Sequence, residues 1–414
     1  MSSWLEDTHI RPRVTVSSIN LPQARPSSVV SLFDRLAWRD ALLAWLGQIA
    51  LIFTVIYVGR TLLLTQHSMP TGATISWNQL FAKWLGWDGA NYARIAMTGY
   101  TQSWMPAFSP GLPFLERVVN ALTGLSPQMA GGTISLVAAL VVYGLLRILA
   151  EREFGRDVAR RATLYLVVFP TAFFFLTAYT ESLFLAFTCG AFLAMRQARW
   201  ITSGTLIALA ALTHLTGVIL LASLALEMAQ RWREPDSPYT LRKWGTIVAS
   251  LAIAPLALGA FNLYLYQQFG TFSAVTRAEE TVWGKGFSIP LMGFARAGGA
   301  LLRNGVNPGA EQAHILLDGV FTLALIGMAV VVWRRLPRAY GVYMAALTFL
   351  IISTPLHNWY SLMSNPRFVL AAVPAFMALG IWGARPWIDR LILLLSLPLL
   401  TVFTLIFAMG GWVA

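Results

Sequence analysis

Long apolar runs separated by short polar or basic stretches recur along the whole chain. The runs Ala41–Leu64, Gly131–Leu149, Ala162–Thr177, Thr246–Tyr266, His314–Trp333, Ala339–Thr354, Phe368–Gly383 and Leu391–Val413 approach or exceed the length that crosses a hydrocarbon core, about 20 residues. Helix is predicted for all of them, because a lipid-exposed backbone must satisfy its own hydrogen bonds. Two further apolar pieces flank the polar step Tyr179-Thr180-Glu181. The stretch Ile201–Gln230 is bounded by basic segments on both sides, so the number of crossings within it must be even. A pair of short helices meeting at Thr213-His214-Leu215-Thr216-Gly217 fits it best.

Composition places this pattern in one class. Of the residues, 57% are hydrophobic and only 12% are charged, against about 25% charged in a soluble domain. The net charge of +12 could suggest nucleic acid, but its distribution argues otherwise. Most of the 30 basic residues fall in alternating segments: the N-terminus through Arg39, Arg147–Arg161, Arg196–Arg199, Arg231–Lys243, Arg334–Arg338 and Arg385–Arg390. That is the positive-inside bias, and it assigns these segments to the cytoplasm. The lone Cys189 lies within an apolar run, which removes disulfide and thiolate-metal chemistry from consideration. The polar first 40 residues predict no cleavable signal peptide.

The topology that follows is an all-α polytopic membrane protein. Residues 1–40 form a cytoplasmic tail, and residues 41–414 form one transmembrane domain of about 10–11 helices. Two large external loops are expected, at about 66–128 and about 267–312. The first has room for a short re-entrant or surface helix near Pro113–Leu122. Asp88, Glu181, His357 and Arg367 all come out on the external face, and His214 can join them from the tip of the short pair.

Charge bias alone assigned those residues to one face, which makes them candidates for chemistry. Asp88 sits in Trp87-Asp88-Gly89-Ala90-Asn91-Tyr92, where a carboxylate can take a proton from an attacking hydroxyl. The same residue could instead cap the helix that follows, with Trp87 at the interface. Glu181 either orients a substrate or places a favourable charge at a helix start. Arg367, beside His357 in the same external stretch, suits a phosphate oxygen that a guanidinium can grip with two bonds. Snorkelling to lipid headgroups is the plainer alternative. His214 sits at a helix break, where polar cavities form, or else packs as a hydrogen-bonded histidine. Asp88 and Glu181 lack the dense carboxylate cluster of a dedicated divalent site, so no metal ligand is assigned and metal dependence stays open.

These residues resemble the GPI mannosyltransferase II family, the PIG-V-like proteins, in a bacterial form. The resemblance rests on Trp87-Asp88-Gly89-Ala90-Asn91-Tyr92-Ala93-Arg94-Ile95-Ala96 with Gly99-Tyr100, and on Phe108-Ser109-Pro110-Gly111-Leu112-Pro113. It continues in Phe169-Pro170-Thr171-Ala172, Ala178-Tyr179-Thr180-Glu181-Ser182-Leu183-Phe184, Ala211 to Gly217 and Asn365-Pro366-Arg367-Phe368. One departure is His214, which stands where relatives commonly carry arginine after the threonine.

The resemblance implies a GT-C-type helical bundle in the bacterial inner (plasma) membrane, working on its external or periplasmic side. It implies an inverting glycosyltransferase that draws mannose, or a related hexose, from a polyprenyl-phosphate donor. The acceptor would be a glycolipid or glycan, Asp88 the general base, and no cofactor is implied beyond the lipid-phosphate sugar itself. Glu181, Arg367, His357, His214, Tyr92, Arg94, Trp87 and Tyr179 are the expected substrate-binding residues. A transporter or flippase of lipid-linked sugars is the rival reading, since broken helices and polar residues suit it too. A noncatalytic membrane scaffold is the third.

Overall fold

The computed structural model describes residues 32, 34–63, 76–232, 241–303, 310–358 and 360–413. Most of the expected tail, residues 64–75 at the end of the first apolar run and the start of the first expected loop, residues 233–240 within the basic segment Arg231–Lys243, and residues 304–309 of the second loop lie outside them. Among the described residues the regular structure is helix, with one isolated bridge between Lys285 and Leu356.

In chain order the helices are α1 (Arg35–Val58), α2 (Trp77–Trp84), α3 (Asp88–Thr98), α4 (Gly111–Thr123), α5 (Pro127–Phe154) and α6 (Arg156–Val167). Then come α7 (Glu181–Arg196), α8 (Trp200–Thr213), α9 (Leu220–Trp232), α10 (Leu241–Phe269), α11 (Ala274–Ala278) and α12 (Met292–Arg303). The chain closes with α13 (Ala310–Arg335), α14 (Arg338–Ser353), α15 (Asn365–Phe368), α16 (Val373–Trp382) and α17 (Pro386–Ala408). Helices α1, α5, α10, α13 and α17 are long and apolar enough to cross a membrane, and a bent pair makes a sixth candidate. The other expected crossings are shorter or interrupted helices. The pair expected in 201–230 is present as α8 and α9, joined through a 3-10 turn at Leu215–Ile219. The short re-entrant or surface helix expected near 113–122 is present as a helix, α4.

Two apolar runs read as continuous helices are broken. Ala162–Thr177 stops being α-helical after Val167 and resumes as a 3-10 turn at Ala172–Leu176. Pro170 explains this: it supplies no N–H and disfavours helical backbone at Phe169. Phe368–Gly383 bends by 81° around Ala372, with Pro374 in the first turn of α16. Arg367 therefore lies in the four-residue α15, not at the start of a long span.

Helix α5, roughly 42 Å long, separates two charged ends. At its C-terminal end the segments assigned to the cytoplasm meet. Asp40 lies 3.5 Å from both Arg147 and Arg160, and Arg147 also pairs with Glu151. Arg196 bridges Glu153 and Glu227, and the Tyr340 hydroxyl donates to Glu153 at 3.1 Å. At its N-terminal end, Ser135 donates to the Tyr179 carbonyl at 2.9 Å. The C-terminal end of α17 arrives there too: Lys83 donates to the Met409 carbonyl, and Trp87 lies edge-on to Trp412. The two loops expected outside share a hydrophobic cluster at this end, built from Tyr92, Tyr100, Phe108 and Leu112 of the first and Ala274 of the second, with Leu265 of α10.

That division generates a labelling prediction. In a Cys189→Ser background, cysteine at the exposed Ser103 should react with an impermeant maleimide in intact cells, and cysteine at the exposed Asp157 should react only after lysis. The reverse pattern would place the Asp88 end in the cytosol.

Glu116 on α4 gives a pH prediction. It is fully buried against Gly131 of α5, and neither carboxyl oxygen has a hydrogen-bond partner. Burial pushes its carboxyl from 4.5 up to about 9. Between those values the unfolded chain releases a proton that the folded chain keeps. Its contribution is thus complete below 4.5 and is lost as pH rises toward 9. Glu116→Gln should flatten the fall in Tm between about pH 5 and about pH 8 and leave the variant more stable at the higher pH. Equal slopes for both proteins would refute this.

Candidate active site

Asp88 is the first residue of α3, and the backbone before it is unusual. Trp87 has φ 53° and ψ −124°, a conformation that a bulky side chain adopts rarely and at a cost. The next residue, Gly89, packs on the chain before α7: a Cβ there would lie 3.0 Å from the Ala178 methyl and 3.1 Å from its carbonyl oxygen. Only glycine lets the start of α3 come this close to the start of α7. The Asp88 backbone N–H, which has no intrahelical acceptor, points to the Tyr179 hydroxyl at 3.4 Å.

Glu181 begins α7, where its carboxylate places a negative charge in the first turn of the helix. The helix-start reading of Glu181 is therefore satisfied, but it does not exhaust the side chain. Its Oε2 is buried with no hydrogen-bond partner. A buried acceptor of this kind is costly unless something donates to it.

Arg367 ties these two carboxylates together. Its Nη1 donates to Asp88 Oδ2 at 2.8 Å, and its Nε lies 3.1 Å from Glu181 Oε1. Three rings surround the guanidinium, with centroids 5.6 Å away at Phe174, 5.3 Å at Tyr179 and 5.3 Å at Phe368. The segment bearing Arg367 is fixed from both sides. Thr171 donates to the Pro366 carbonyl at 2.9 Å, and the Asn365 amide donates to Thr322 at 2.8 Å. Ser364, at φ 71°, makes the left-handed turn that starts α15.

The expected site residues thus divide. Asp88, Glu181, Arg367 and Tyr179 converge directly. Tyr92 joins them through a hydrogen bond with Thr180, and burial followed by the Asp88 and Glu181 charges pushes its phenol well up. His214, in the turn between α8 and α9, contacts Phe184 and Phe368 by its ring and bonds Thr216 at 2.7 Å. Burial, with Lys285 and Arg367 nearby, pushes its imidazole down to about 3, so it is neutral at physiological pH.

Three other expected residues stand apart from the cluster. The Trp87 ring is 43% exposed and packs on Trp412, so its contribution to the site is backbone geometry. Arg94 is exposed on α3, with its guanidinium over Trp104. The exposed His357 lies beside Gly286, and its backbone N–H donates to the Gly284 carbonyl at 2.7 Å. Two residues were missed. Lys285 lies over Phe368 at 5.0 Å, and Glu279 is electrostatically coupled to both Asp88 and Lys285. Nothing local in the sequence marks either residue, since both reach the site through long-range loop packing. Among the described residues no three His, Cys, Asp or Glu side chains are grouped so as to hold a metal ion.

Chemically, the cluster offers one carboxylate fixed by a guanidinium, a second with an unpartnered oxygen, and a second cation across an aromatic ring. The sequence matches the family described as Mannosyltransferase (PIG-V) over residues 42–295, more than half of the chain. No curated protein matches it. Among solved structures, it is similar to the oligosaccharyltransferase of Archaeoglobus fulgidus in its apo form, with 12% identity and a TM-score of 0.40 over 93% of this chain and 57% of that one. It is also similar to ArnT from Cupriavidus metallidurans bound to undecaprenyl phosphate, with 15% identity and a TM-score of 0.44 over 74% of this chain and 60% of that one. The chain spans less than two thirds of the length of either protein, and no residue role follows from likeness at this level.

Removing Arg367 should leave two nearly buried carboxylates facing one another. Arg367→Met is expected to destabilise the protein by about 3–5 kcal/mol, the usual cost of stranding a buried charge, read as a lowered Tm in detergent. Adding Glu181→Gln should recover part of the loss. An unchanged Tm in the single variant would show that the three-residue cluster contributes nothing to the fold.

Proposed function

The chain belongs to the PIG-V mannosyltransferase family, and we propose that it moves mannose, or a related hexose, from a polyprenyl-phosphate donor to a glycolipid or glycan acceptor. Family membership makes the chain a glycosyltransferase. The donor, the stereochemistry, the base and the membrane face are our own reading. The reaction belongs on the non-cytoplasmic face of a bacterial inner membrane, the face to which charge bias assigns Asp88. Its donor is a substrate, and the reading calls for no resident cofactor.

The observation that carries this reading is the Asp88–Arg367–Glu181 cluster. Asp88 Oδ2 is held by Arg367, which leaves Oδ1 outside that bond and able to accept a proton from the acceptor hydroxyl. The acceptor's hydroxyl oxygen attacks the anomeric carbon from the side opposite the phosphate, so a carbon–oxygen bond forms as the bond to phosphate breaks. The configuration inverts in one displacement. The proton ends on Asp88, and the electron pair leaves on a polyprenyl phosphate that is already ionised and needs no acid. Glu181 Oε2, buried and without a partner, is suited to accept a sugar hydroxyl and orient the ring. The lipid tail would lie between helices, with the sugar at the interface.

Asp88→Asn keeps the size of the side chain but cannot take the proton. Purified protein would be incubated with short-chain polyprenyl-phosphate mannose and a membrane glycolipid extract, and the product followed by mass spectrometry. A loss of about 10²–10⁴-fold is expected for a positioned general base, with Tm close to that of the unmodified protein. A loss below about tenfold would remove Asp88 from that role. Donor uptake without any glycosylated product, in the unmodified protein, would favour the flippase reading.

A further inference from the structure

We infer that Lys285 is the residue that binds the donor phosphate, an assignment that rests on the glycosyl-transfer reading above and deepens it. Four cationic candidates stand near the sugar-transfer cluster or were expected there: Arg94, His214, Arg367 and Lys285. Three of them are unsuited. Arg94 is exposed and turned onto Trp104. His214 is neutral, and its Nδ1 bonds Thr216. Arg367 already sets its charge against two carboxylates, donating to Asp88 at 2.8 Å and ion-paired with Glu181 at 3.1 Å through an Nε that makes no hydrogen bond.

Charge alone makes the same point. With both carboxylates ionised, the Asp88–Arg367–Glu181 cluster carries one net negative charge. The anionic phosphodiester of the donor, and still more the phosphate monoester that departs, would be repelled from it unless another cation stood alongside. Lys285 is that cation. Its ammonium lies 5.0 Å from the Phe368 ring, and the Arg367 guanidinium lies 5.3 Å from the same ring. Among the described residues, no carboxylate comes within ion-pair distance of Lys285. The electrostatic influence of Lys285 reaches His214 and Glu279, and Asp88 acts on Glu279 as well, so all of these groups share one field.

The way Lys285 is delivered also sets it apart from a solvated surface lysine. Gly284 turns at φ 60°, and the Lys285 backbone N–H donates to the Glu279 carbonyl at 3.0 Å. The 284–293 segment is then fastened to the 353–361 segment. His357 N–H donates to the Gly284 carbonyl at 2.7 Å, Ser288 N–H to the Ser353 carbonyl at 2.7 Å, and the Ser361 hydroxyl to the Gly293 carbonyl at 2.7 Å. Gly286 lies against the His357 ring, where a Cβ would come within 2.9 Å of it. His357 thereby acts as a fastener of the loop that carries Lys285. One ammonium with three donors matches the oxygens of a single phosphate, and the committed guanidinium is left to the carboxylates.

The test measures binding of farnesyl phosphate to the full-length protein in detergent, so that no turnover is required, alongside transfer from polyprenyl-phosphate mannose. Lys285→Gln should weaken farnesyl phosphate binding by at least about tenfold and raise the donor KM correspondingly, with the acceptor KM unchanged. Lys285→Arg, which keeps the charge, should bind farnesyl phosphate more tightly than Lys285→Gln does. Arg277→Gln, which removes an exposed cation earlier in the same segment, should change neither. If Lys285→Gln is folded by its Tm and binds farnesyl phosphate normally, or if Arg277→Gln weakens binding equally, this assignment is overturned while the transferase reading stands. If the unmodified protein binds farnesyl phosphate but transfers no sugar, the transferase reading falls. If it does not bind farnesyl phosphate, both fall.

Discussion

A guanidinium held between two carboxylates, in a site nearly closed to water, is the constraint around which this end of the bundle is built. Asp88, Glu181 and Arg367 are brought together from three distant parts of the chain. Unpaired, each would carry a large desolvation cost, so the three segments must arrive in register. The chain meets that requirement by interrupting helices that lipid would otherwise favour. Trp87 takes a strained backbone so that α3 can begin at Asp88. The run after α6 breaks at Pro170 and restarts at Glu181. The run after α15 turns by 81°. All three interruptions lead into the same cluster.

The other end of α5 supplies a comparison within the same molecule. There too an arginine sits between two carboxylates, with Arg196 pairing Glu153 and Glu227. That network is closed by additional donors, since Tyr340 bonds Glu153 and Arg231 pairs with Glu227. It reads as a fastening between helices. Around Arg367 the same arrangement stays incomplete. Glu181 Oε2 has no partner, aromatic rings surround the guanidinium, and Lys285 stands across Phe368. Incomplete satisfaction in a buried polar group is costly, and a site that takes a polar substrate is where that cost is expected.

Much of this was legible in the sequence, because hydrophobic length and charge bias are properties of the segments themselves. The helical membrane architecture, the short pair α8 and α9, the short helix α4 and the convergence of Asp88, Glu181 and Arg367 on one end all follow from them. The interruptions were harder to read. Phe169-Pro170 and Val373-Pro374 sit inside apolar runs, and hydropathy does not register a proline that interrupts a helix or starts a new one. Partner choice was harder still. Arg367 was expected to meet a phosphate and instead holds the two carboxylates, because the sequence shows which charges share a face but not which of them touch. Lys285 and Glu279 escaped notice for the same reason, as their position depends on a loop fastened by backbone bonds to residues near 357.

The charge arrangement also suits the direction of the proposed reaction. Before transfer, Asp88 and Glu181 face Arg367 and Lys285, with Glu279 coupled to Lys285 in the same field. During transfer the proton moves to Asp88 while negative charge builds on the departing phosphate. Protonation removes one of the two anions that hold Arg367, so its positive field becomes less compensated as the phosphate gains charge. Lys285, on the other flank of Phe368, faces that charge from the start. Donors and cations already fixed in place need no reorganisation when charge moves, which is the condition under which electrostatics contributes most to catalysis. The aromatic walls strengthen the effect by keeping water, and its dielectric screening, away from the guanidinium. On this account Arg367 does not have to touch the phosphate to assist its departure. It needs only to remain fixed while its carboxylate partner is neutralised.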